Sequence, residues 1–190
     1  MSEIKDLLFY SARSHNRWQD RPVTEAQVRE LYDLTRMGPT AFNGCPARFV
    51  FCHSQEARDK LADCVMEGNV DKVKTAPLVV IVAMDLEFHN KLPELWPQNP
   101  DVKDYYTDPA SAEKTAMRNG TLQGAYLMMA ARAMGLDCGP MSGFDLDKVN
   151  ESFLAGTSWT ANFLCAVGYG DEDGLFPRGP RLEFEEACQL

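Results

Sequence analysis

Arginine, hydroxyl and amide side chains cluster near both ends of this 190-residue chain. In the stretch ARSHNRWQDRPV, Arg13, Ser14 and Asn16 stand where a first helix is expected to end and the chain to turn. Arg178 and Arg181 lie in PRGPR near the other end. Guanidinium and hydroxyl donors grouped as in the first stretch suit the oxygens of a phosphate group. That stretch therefore predicts an anion site, with solvated arginines at a polar helix end as the alternative.

Three other stretches hold polar groups or bare backbone between apolar elements. Thr40 and Asn43 stand between prolines in GPTAFNGCPARF, where turn chemistry alone would account for them. Asn69 and Lys72 come just before an apolar run, although a single lysine there is usually solvated. The stretch DCGPMSGFD, residues 137–145, combines two glycines, a proline and a serine, and it has no charge between Asp137 and Asp145. Its local pattern is that of a helix stop followed by a turn.

Several common catalytic patterns are missing from the sequence. There is no G-x-x-x-x-G-K-[ST], which excludes a P-loop nucleotidase. GYGDEDG resembles a dinucleotide-binding glycine pattern, but its three acidic residues would stand where phosphates must bind. G-x-S-x-G and H-E-x-x-H are missing too, and the histidines at 15, 53 and 89 lack the spacing of metal ligands. Neither a hydrolytic triad nor a metal site is expected.

The charge balance and the cysteines restrict the partners and the compartment. The chain has 19 basic and 28 acidic residues, a formal net charge of -9, which argues against nucleic acid or an anionic membrane as a partner. Its six cysteines form no C-x-x-C pair, and its start lacks the basic and apolar regions of a signal peptide. We expect a reduced, cytoplasmic protein with a single domain over residues 1–190.

Hydrophobic periodicity predicts an α+β protein or a three-layer sandwich in which helices dominate. Helices are predicted over residues 4–14, 24–37, 54–68 and 108–134, with a short one from Asp145, and strands over residues 47–53, 76–85 and 162–170. The long helix is expected to direct five side chains inward: Leu122, Tyr126, Met129, Ala130 and Ala133.

Residues 86–108 keep no period, and a compact domain rarely holds so long an irregular stretch unless it is a lid or a binding loop. The segment carries four candidate pocket residues, Phe88, Trp96, Tyr105 and Tyr106. Aromatic packing at a dimer interface is the alternative.

The order of these stretches resembles that of the nitroreductase-like flavin family over essentially the whole chain. ARSHNRWQDRPV is similar to the family's R-R-S-x-R-x-F-x-x-x-P-[VI] signature, and GPTAFNGCPARF to its G-P-S-x-x-N-x-Q-P-W segment. GNVDKV resembles G-N-x-x-K, GLDCGPMSGFD resembles G-L-x-x-x-P-[IM]-x-G-[FY], and GYGDE with PRGPRLEFEE resembles the closing G-Y and R-x-P-x-E-E run. Within the family, R-S-H-N-x-W, GPMSGFD and PRL-x-FEEA look most like the malonic semialdehyde reductase branch of pyrimidine degradation.

The resemblance implies a fold, an assembly and four sets of site residues. The fold is a three-layer α/β/α sandwich whose central, mostly antiparallel sheet is flanked by helices, in an intertwined homodimer with FMN at the subunit interface. The FMN phosphate and ribityl end would be held by Arg13, Ser14, Asn16, Arg178 and Arg181. The pyrimidine edge of the flavin would face Asn69 and Lys72. A segment offered to the flavin of the other subunit would comprise Pro39, Thr40, Ala41 and Asn43. One face of the ring, with a backbone N–H directed at N5, would be lined by Pro140, Met141, Ser142 and Gly143.

The implied reaction is a ping-pong hydride transfer through flavin N5, with NAD(P)H as a transient donor that needs no Rossmann motif. The branch implies reduction of a small aldehyde acid such as malonic semialdehyde to 3-hydroxypropionate, with no side chain assigned as the proton donor. A broad nitro- or quinone reductase and a flavin-binding protein without turnover are the alternatives. Departures from the family pattern, which bear on the substrate more than on the flavin, stand at Asn16, Cys45, Ala47 and Tyr126.

Overall fold

The computed structural model describes residues 3–190, within which four strands and eight α-helices are found. The strands are β1 (Ala47–Cys52), β2 (Leu78–Asp85), β3 (Asp137–Met141) and β4 (Trp159–Gly168). The helices are α1 (Glu3–Lys5), α2 (Glu25–Thr35), α3 (Gln55–Ala62), α4 (Glu67–Thr75), α5 (Leu92–Leu95), α6 (Pro109–Ala133), α7 (Leu146–Val149) and α8 (Phe184–Ala187). Single π-helical turns, Asp6–Tyr10 and Asn150–Leu154, continue α1 and α7. None of the helices in the described part of the chain is long and apolar enough to cross a membrane.

The four strands form one antiparallel sheet in the order β1-β2-β4-β3. β2 lies inside the sheet and every one of its residues is buried, as expected for a run rich in valine and isoleucine. The strands predicted over residues 47–53, 76–85 and 162–170 are confirmed as β1, β2 and β4, although β4 begins earlier, at Trp159.

The turn predicted within residues 137–145 is wrong, because its first part is the edge strand β3. Glycine and proline are depleted in strands, so Gly139 and Pro140 concealed it from pattern reasoning. Pro140 pairs with Cys165 of β4, which is β3's one neighbouring strand in the sheet. An edge strand tolerates proline because the missing N–H costs no bond on the open side.

Helices cover both faces of the sheet, which confirms the three-layer α/β/α arrangement. On one face, Leu31 of α2 and Leu127 of α6 share a buried cluster with Val80 of β2. On the other face, Leu61 of α3 shares a second buried cluster with Ile81. Neighbouring residues of β2 thus serve opposite faces, since side chains alternate along a strand.

Two of the predicted helices begin with the capping residues that the sequence indicated. The side chain of Thr24 accepts a hydrogen bond from the Gln27 amide, and the Gln27 side chain accepts one from the Thr24 amide, so α2 begins with the predicted capping box. Asp108 likewise caps α6 by accepting from the Ser111 amide. The first helix is shorter than predicted, since its last π-helical turn ends at Tyr10.

The single helix predicted over residues 54–68 is wrong, because the chain forms α3 and α4 with a break between them. The break is held open by the segment after β3. The Met66 amide donates to the Gly143 carbonyl at 3.0 Å, and the Asp145 amide donates to the Cys64 carbonyl at 2.8 Å. These long-range bonds replace helical ones and start α4 at Glu67, so that Asn69 and Lys72 lie on a helix.

The inward face predicted for α6 is largely wrong. Of the five side chains expected to point inward, Ala130 is buried, whereas Leu122 and Tyr126 are 47% and 42% exposed. The helix instead turns small residues toward the sheet. At Gly124 an added Cβ would lie 2.4 Å from the Phe163 ring, so only glycine permits this approach. Leu127 also faces the sheet, whereas Met117, Leu122 and Tyr126 lie on the outer face of the helix.

Residues 86–108 are more ordered than their sequence suggests. They form two 3-10 turns, Phe88–Lys91 and Pro100–Tyr106, on either side of α5. Phe88 is 1% exposed and packs against Tyr106 at a ring-centroid distance of 5.0 Å, in a cluster that includes Ala116 of α6. The segment therefore has its own small core, which attaches it to the first half of α6.

Candidate functional site

The N-terminal stretch runs along the outer edge of β3. Ser14 forms a bridge with Cys138, and the His15 amide donates to the Cys138 carbonyl at 2.9 Å. These contacts explain why Arg13, Ser14 and Asn16, which precede α2, lie beside a strand far later in the chain. The start of the chain thereby becomes one wall of the site at this edge.

All five residues assigned by the resemblance to the phosphate line one cavity of about 270 Å³. We call it the arginine cavity. Its lining residues are Ala12, Arg13, Ser14, Asn16, Arg132, Phe176, Pro177, Arg178, Gly179 and Arg181. Both ends of the chain thus meet around it, together with Arg132 from the last turn of α6, which sequence reasoning missed.

Backbone carbonyls hold the guanidinium groups of the arginine cavity in place. Arg178 Nη2 donates to the carbonyls of Tyr10 at 2.7 Å and Ala12 at 3.0 Å. Arg13 donates to the Phe176 carbonyl, so the two chain ends are tied in both directions. Within residues 3–190, no carboxylate forms a salt bridge with any arginine of this cavity. Several fixed cations with spare donors therefore surround a space free of acidic partners.

A second group of predicted residues meets where α4 packs against the end of β3. Asn69 Nδ2 donates to the Gly143 carbonyl at 2.9 Å, and Lys72 Nζ donates to the Pro140 carbonyl at 3.4 Å. Lys72 is 6% exposed. Burial lowers the pKa of its ammonium from the ordinary 10.5, because desolvation disfavours the charged form. The arrangement fixes a cationic group against a stretch of bare backbone.

The glycines of this stretch permit its close contacts. A Cβ on Gly139 would lie 2.3 Å from the His15 carbonyl oxygen and 2.4 Å from Lys72 Cε. A Cβ on Gly143 would lie 2.7 Å from Asn69 Nδ2, the end of a flexible side chain. Of these two glycines, Gly139 has the less yielding surroundings, because the obstacle there includes backbone.

His15 is a site residue that the sequence did not single out. It is 4% exposed, and its Nε2 lies 3.4 Å from Asp137 Oδ1. The other carboxylate oxygen, Asp137 Oδ2, accepts from the Gly170 amide at 2.9 Å. The imidazole thus joins the N-terminal stretch to both β3 and the chain after β4. A lone histidine carries no sequence signal of such a contact.

The segment assigned to the other subunit lies away from the β3 site within one subunit. The Ala41 amide donates to Asn119 Oδ1 of α6 at 2.8 Å, and Asn43 Nδ2 donates to the Leu95 carbonyl at 3.1 Å. Thr40 Oγ1 accepts from the Cys45 amide at 3.1 Å. This segment leads into β1 at the opposite edge of the sheet from β3. One subunit therefore does not bring the two halves of the predicted site together.

The four aromatic residues of the predicted lid divide into two pairs. Phe88 and Tyr106 belong to the buried core of segment 86–108. Trp96 and Tyr105 instead flank Phe42, with edge-to-face contacts at ring-centroid distances of 6.0 and 6.2 Å. Of the four, Trp96 and Tyr105 are thus the ones placed beside the segment that carries Thr40 and Asn43.

The donors at the β3 edge fit a phosphorylated flavin. A phosphate carries about two negative charges near neutral pH, which the guanidinium groups of the arginine cavity would balance. The Nε of Arg132 is buried without a hydrogen-bond partner among the described residues, and the guanidinium group lines the same cavity. Beside β3, Lys72 and the absence of side chains at Gly139 and Gly143 suit a flat ring that becomes negatively charged.

Comparison with known proteins establishes the family. Residues 10–169 match the model of the Nitroreductase family. HadB of Ralstonia pickettii, described as an NADH dehydrogenase/NAD(P)H nitroreductase, is 56% identical over 186 residues, covering 96% of this chain and 95% of that protein. A relative from Stenotrophomonas maltophilia with the same description is 55% identical over 186 residues, covering 97% and 94%. The chain belongs to the nitroreductase family.

Solved structures agree on the fold. A nitroreductase from Exiguobacterium sibiricum in complex with FMN has a TM-score of 0.89 at 18% identity, over 100% of this chain and 98% of that chain. A likeness at this identity concerns the fold, and it confirms the predicted architecture.

Proposed function

We propose that the protein is an FMN-dependent NAD(P)H oxidoreductase. The observation that carries the proposal is the arginine cavity, which adjoins the N-terminal stretch bonded along β3 and whose guanidinium groups form no salt bridge within the described residues. The R. pickettii and S. maltophilia relatives, described as NADH dehydrogenase/NAD(P)H nitroreductases, support the activity. The E. sibiricum structure, solved in complex with FMN, supports the cofactor.

In this proposal the chain holds FMN by its phosphate and by one face of its ring. Arg13, Ser14, Asn16, Arg178 and Arg181 donate to the phosphate oxygens, since guanidinium groups bind phosphate in two-pronged fashion without changing protonation. When bound, FMN supplies a carrier that takes hydride from NAD(P)H and gives it to a second substrate.

Lys72 and Asn69 set the electrostatics of the ring. The Lys72 ammonium, fixed near Pro140, stabilises the negative charge that reduction places on the pyrimidine edge. Asn69 orients the end of the β3 segment through Gly143. Pro140, Met141, Ser142 and Gly143 offer backbone to the ring, so the side chains of Met141 and Ser142 matter less than their amides.

The active unit is a homodimer with FMN between subunits. Pro39, Thr40, Ala41 and Asn43 of one subunit complete the site of the other, because the two halves are separated within a single chain. The exposed apolar side of α6, at Met117, Leu122 and Tyr126, supplies a surface for this association. Trp96 and Tyr105 lie beside Phe42 in the same subunit. In the dimer they would therefore border the substrate side of the other subunit's site.

The second substrate that we propose is a small aldehyde acid such as malonic semialdehyde, reduced to 3-hydroxypropionate. What supports it is the resemblance of R-S-H-N-x-W, GPMSGFD and PRL-x-FEEA to that branch of the family. Broad reduction of nitro compounds or quinones is the second candidate, favoured by the descriptions of the R. pickettii and S. maltophilia relatives. NAD(P)H departs before the second substrate binds, so one open face serves both.

Steady-state kinetics with matched substrates separates the two candidates. The purified, FMN-loaded protein is assayed with NADH and NADPH against malonic semialdehyde, a nitroaromatic compound and a quinone. We expect the highest kcat/KM for the aldehyde acid. A clear preference for the nitroaromatic compound or the quinone rejects the aldehyde assignment and keeps the oxidoreductase. Lack of turnover with all three, in protein that retains FMN, favours a flavin-binding protein.

A further inference from the structure

We propose that Arg132 binds the FMN phosphate, as a member of the arginine cavity that the family motifs do not include. The inference rests on the proposed function. Arg132 lies in the last turn of α6 and lines the same cavity as Arg13, Arg178 and Arg181. It reaches the cavity from a different element, since the other three lie in the two chain ends.

The hydrogen bonds of Arg132 leave donors free for an anion. Its Nη1 donates to the Leu8 carbonyl at 3.0 Å, which fixes the plane of the guanidinium group. Its Nε is buried and has no hydrogen-bond partner among the described residues. A buried N–H without an acceptor is costly, and for a charged group more so. No acceptor for Nη2 is found within residues 3–190, so this donor is free for a phosphate oxygen in the cavity that Arg132 lines.

No acidic side chain takes the place of that acceptor. Asp137 is the nearest acidic residue along the chain and lines an adjoining cavity with Arg132. Its oxygens are directed to His15 Nε2 and to the Gly170 amide, at 3.4 and 2.9 Å. No salt bridge to Arg132 is found among the described residues. The charge of Arg132 is therefore available to a ligand.

The position of Arg132 on α6 gives it a distinct part in binding. Arg178 and Arg181 are exposed residues near the end of the chain, and their guanidinium groups donate to carbonyls of the chain ends. Arg132 is half-buried on a 25-residue helix and donates to the Leu8 carbonyl. It therefore brings a cation to the cavity from the helical layer, at a position that does not depend on the C-terminal tail.

A purely structural role is the competing explanation. A cation in the last turn of a helix interacts favourably with the helix dipole, and the bond to Leu8 connects α6 to the turn after α1. Such a role would affect any flavin that fits the site. A phosphate-binding role affects FMN alone and spares riboflavin, which has the same ring and ribityl chain without the phosphate.

The test compares the affinities for FMN and riboflavin of the full-length protein after removal of its flavin. The variants are Arg132→Gln, Arg132→Lys and a control, Arg29→Gln, at an exposed position on α2. Quenching of flavin fluorescence gives each Kd. We expect Arg132→Gln to weaken FMN binding roughly 10- to 100-fold, the usual effect of one charge-assisted hydrogen bond. Riboflavin binding stays within about twofold under the same principle, and Arg29→Gln changes neither.

If Arg132→Gln folds poorly, two further measurements still test the proposal. One uses the variant Arg132→Lys, which keeps the positive charge, and the other uses inorganic phosphate as the ligand. Arg132→Lys retains a cation without the planar fork, so we expect an FMN affinity between those of wild type and Arg132→Gln. Inorganic phosphate should raise the Tm of the flavin-free wild-type protein more than that of Arg132→Lys at equal ionic strength. These results support the proposal.

Three outcomes overturn it. Equal losses of FMN and riboflavin affinity identify Arg132 as a structural tie between α6 and Leu8. Unchanged FMN affinity in both Arg132 variants shows that the phosphate binds without it. A wild-type protein that binds FMN no better than riboflavin rejects the whole phosphate site, and with it the proposed cofactor. The failure of the proposed function is thus distinguishable from the failure of this inference.

Discussion

Lys72 Nζ lies 3.4 Å from the carbonyl oxygen of Pro140, at the contact of α4 with β3. The lysine side chain is almost wholly buried, and Gly139 beside it has no room for a Cβ because Lys72 and the His15 backbone occupy that space. The charged group is thus built into the fold at a cost in stability. A cost of this kind is expected where a site needs a fixed charge.

Lys72→Met should stabilise the flavin-free protein at neutral pH. Burial lowers the pKa of Lys72 from 10.5, so the unfolded chain binds more protons between the lowered pKa and 10.5, and stability rises with pH across that window. Below that pH window the wild-type protein bears the free-energy cost of burying a charged ammonium group, and Lys72→Met removes that cost. We expect a gain of about 1 kcal/mol, or about 2–4 °C in Tm, that shrinks at alkaline pH.

The same variant should lower the reduction potential of bound FMN, because no cation then balances the charge of the reduced ring. Lys74→Met, at an exposed position of the same helix, is the control for both measurements. A variant that loses stability at neutral pH and keeps the wild-type potential contradicts the role given to Lys72.

Gly139→Ala should destabilise the protein by about 1–3 kcal/mol, the usual cost of forcing an extra methyl group into a packed region. The new Cβ would meet the His15 carbonyl oxygen at 2.3 Å, and backbone cannot move aside easily. Gly68→Ala is the matched control, since a Cβ there meets nothing within 4 Å and alanine favours the helix. Urea unfolding of both variants is the measurement, and equal stabilities would show that β3 is less tightly held.

FMN should protect the C-terminal tail from trypsin. The peptide bonds after Arg178 and Arg181 lie in an exposed segment, and both side chains are assigned to the phosphate. At ten times the Kd of FMN, about a tenth of the sites are free, so we expect cleavage there to slow about tenfold. Riboflavin at the same saturation is the control. Protection by riboflavin equal to that by FMN argues against tail arginines on the phosphate.

Carboxylates on the outer face of α6 should separate the subunits. Met117 and Leu122 are 42% and 47% exposed in the single chain, and a buried, unpaired carboxylate is unfavourable. We expect the Met117→Glu, Leu122→Glu double variant to sediment as a monomer and to lose FMN, because Thr40 and Asn43 no longer reach the other site. Leu146→Glu, on α7 and 45% exposed, is the control. A double variant that remains a fully loaded dimer places the interface elsewhere.

Sequence patterns predicted the fold where local and long-range preferences agree. The capping box of Thr24 and Gln27 predicted the start of α2, and the valine-rich run predicted β2. They failed at β3, because Gly139 and Pro140 are untypical of a strand. They also failed at the break between α3 and α4, because the Met66 amide is bonded to the Gly143 carbonyl, far away in sequence. The inward face of α6 was wrong because a sheet packs closely on small residues such as Gly124.

The sequence likewise indicated part of the candidate site and missed the rest. Motif order indicated Arg13 and Arg181, which the folded chain brings to one cavity although they stand at opposite ends. Arg132 and His15 could not be found in this way. A single arginine at a helix end and a single histidine have ordinary structural explanations, and only the geometry shows that both lie at the β3 edge. The roles assigned to these residues toward FMN stay predictions.

The central claim is that the protein carries hydride from NAD(P)H to a second substrate through bound FMN. Anaerobic mixing of the FMN-loaded protein with NADH or NADPH, followed by malonic semialdehyde in a second mixing step, tests both halves of the reaction. We predict that the yellow flavin absorbance bleaches after the first step and returns after the second. Absorbance that does not bleach with either nicotinamide would contradict the claim.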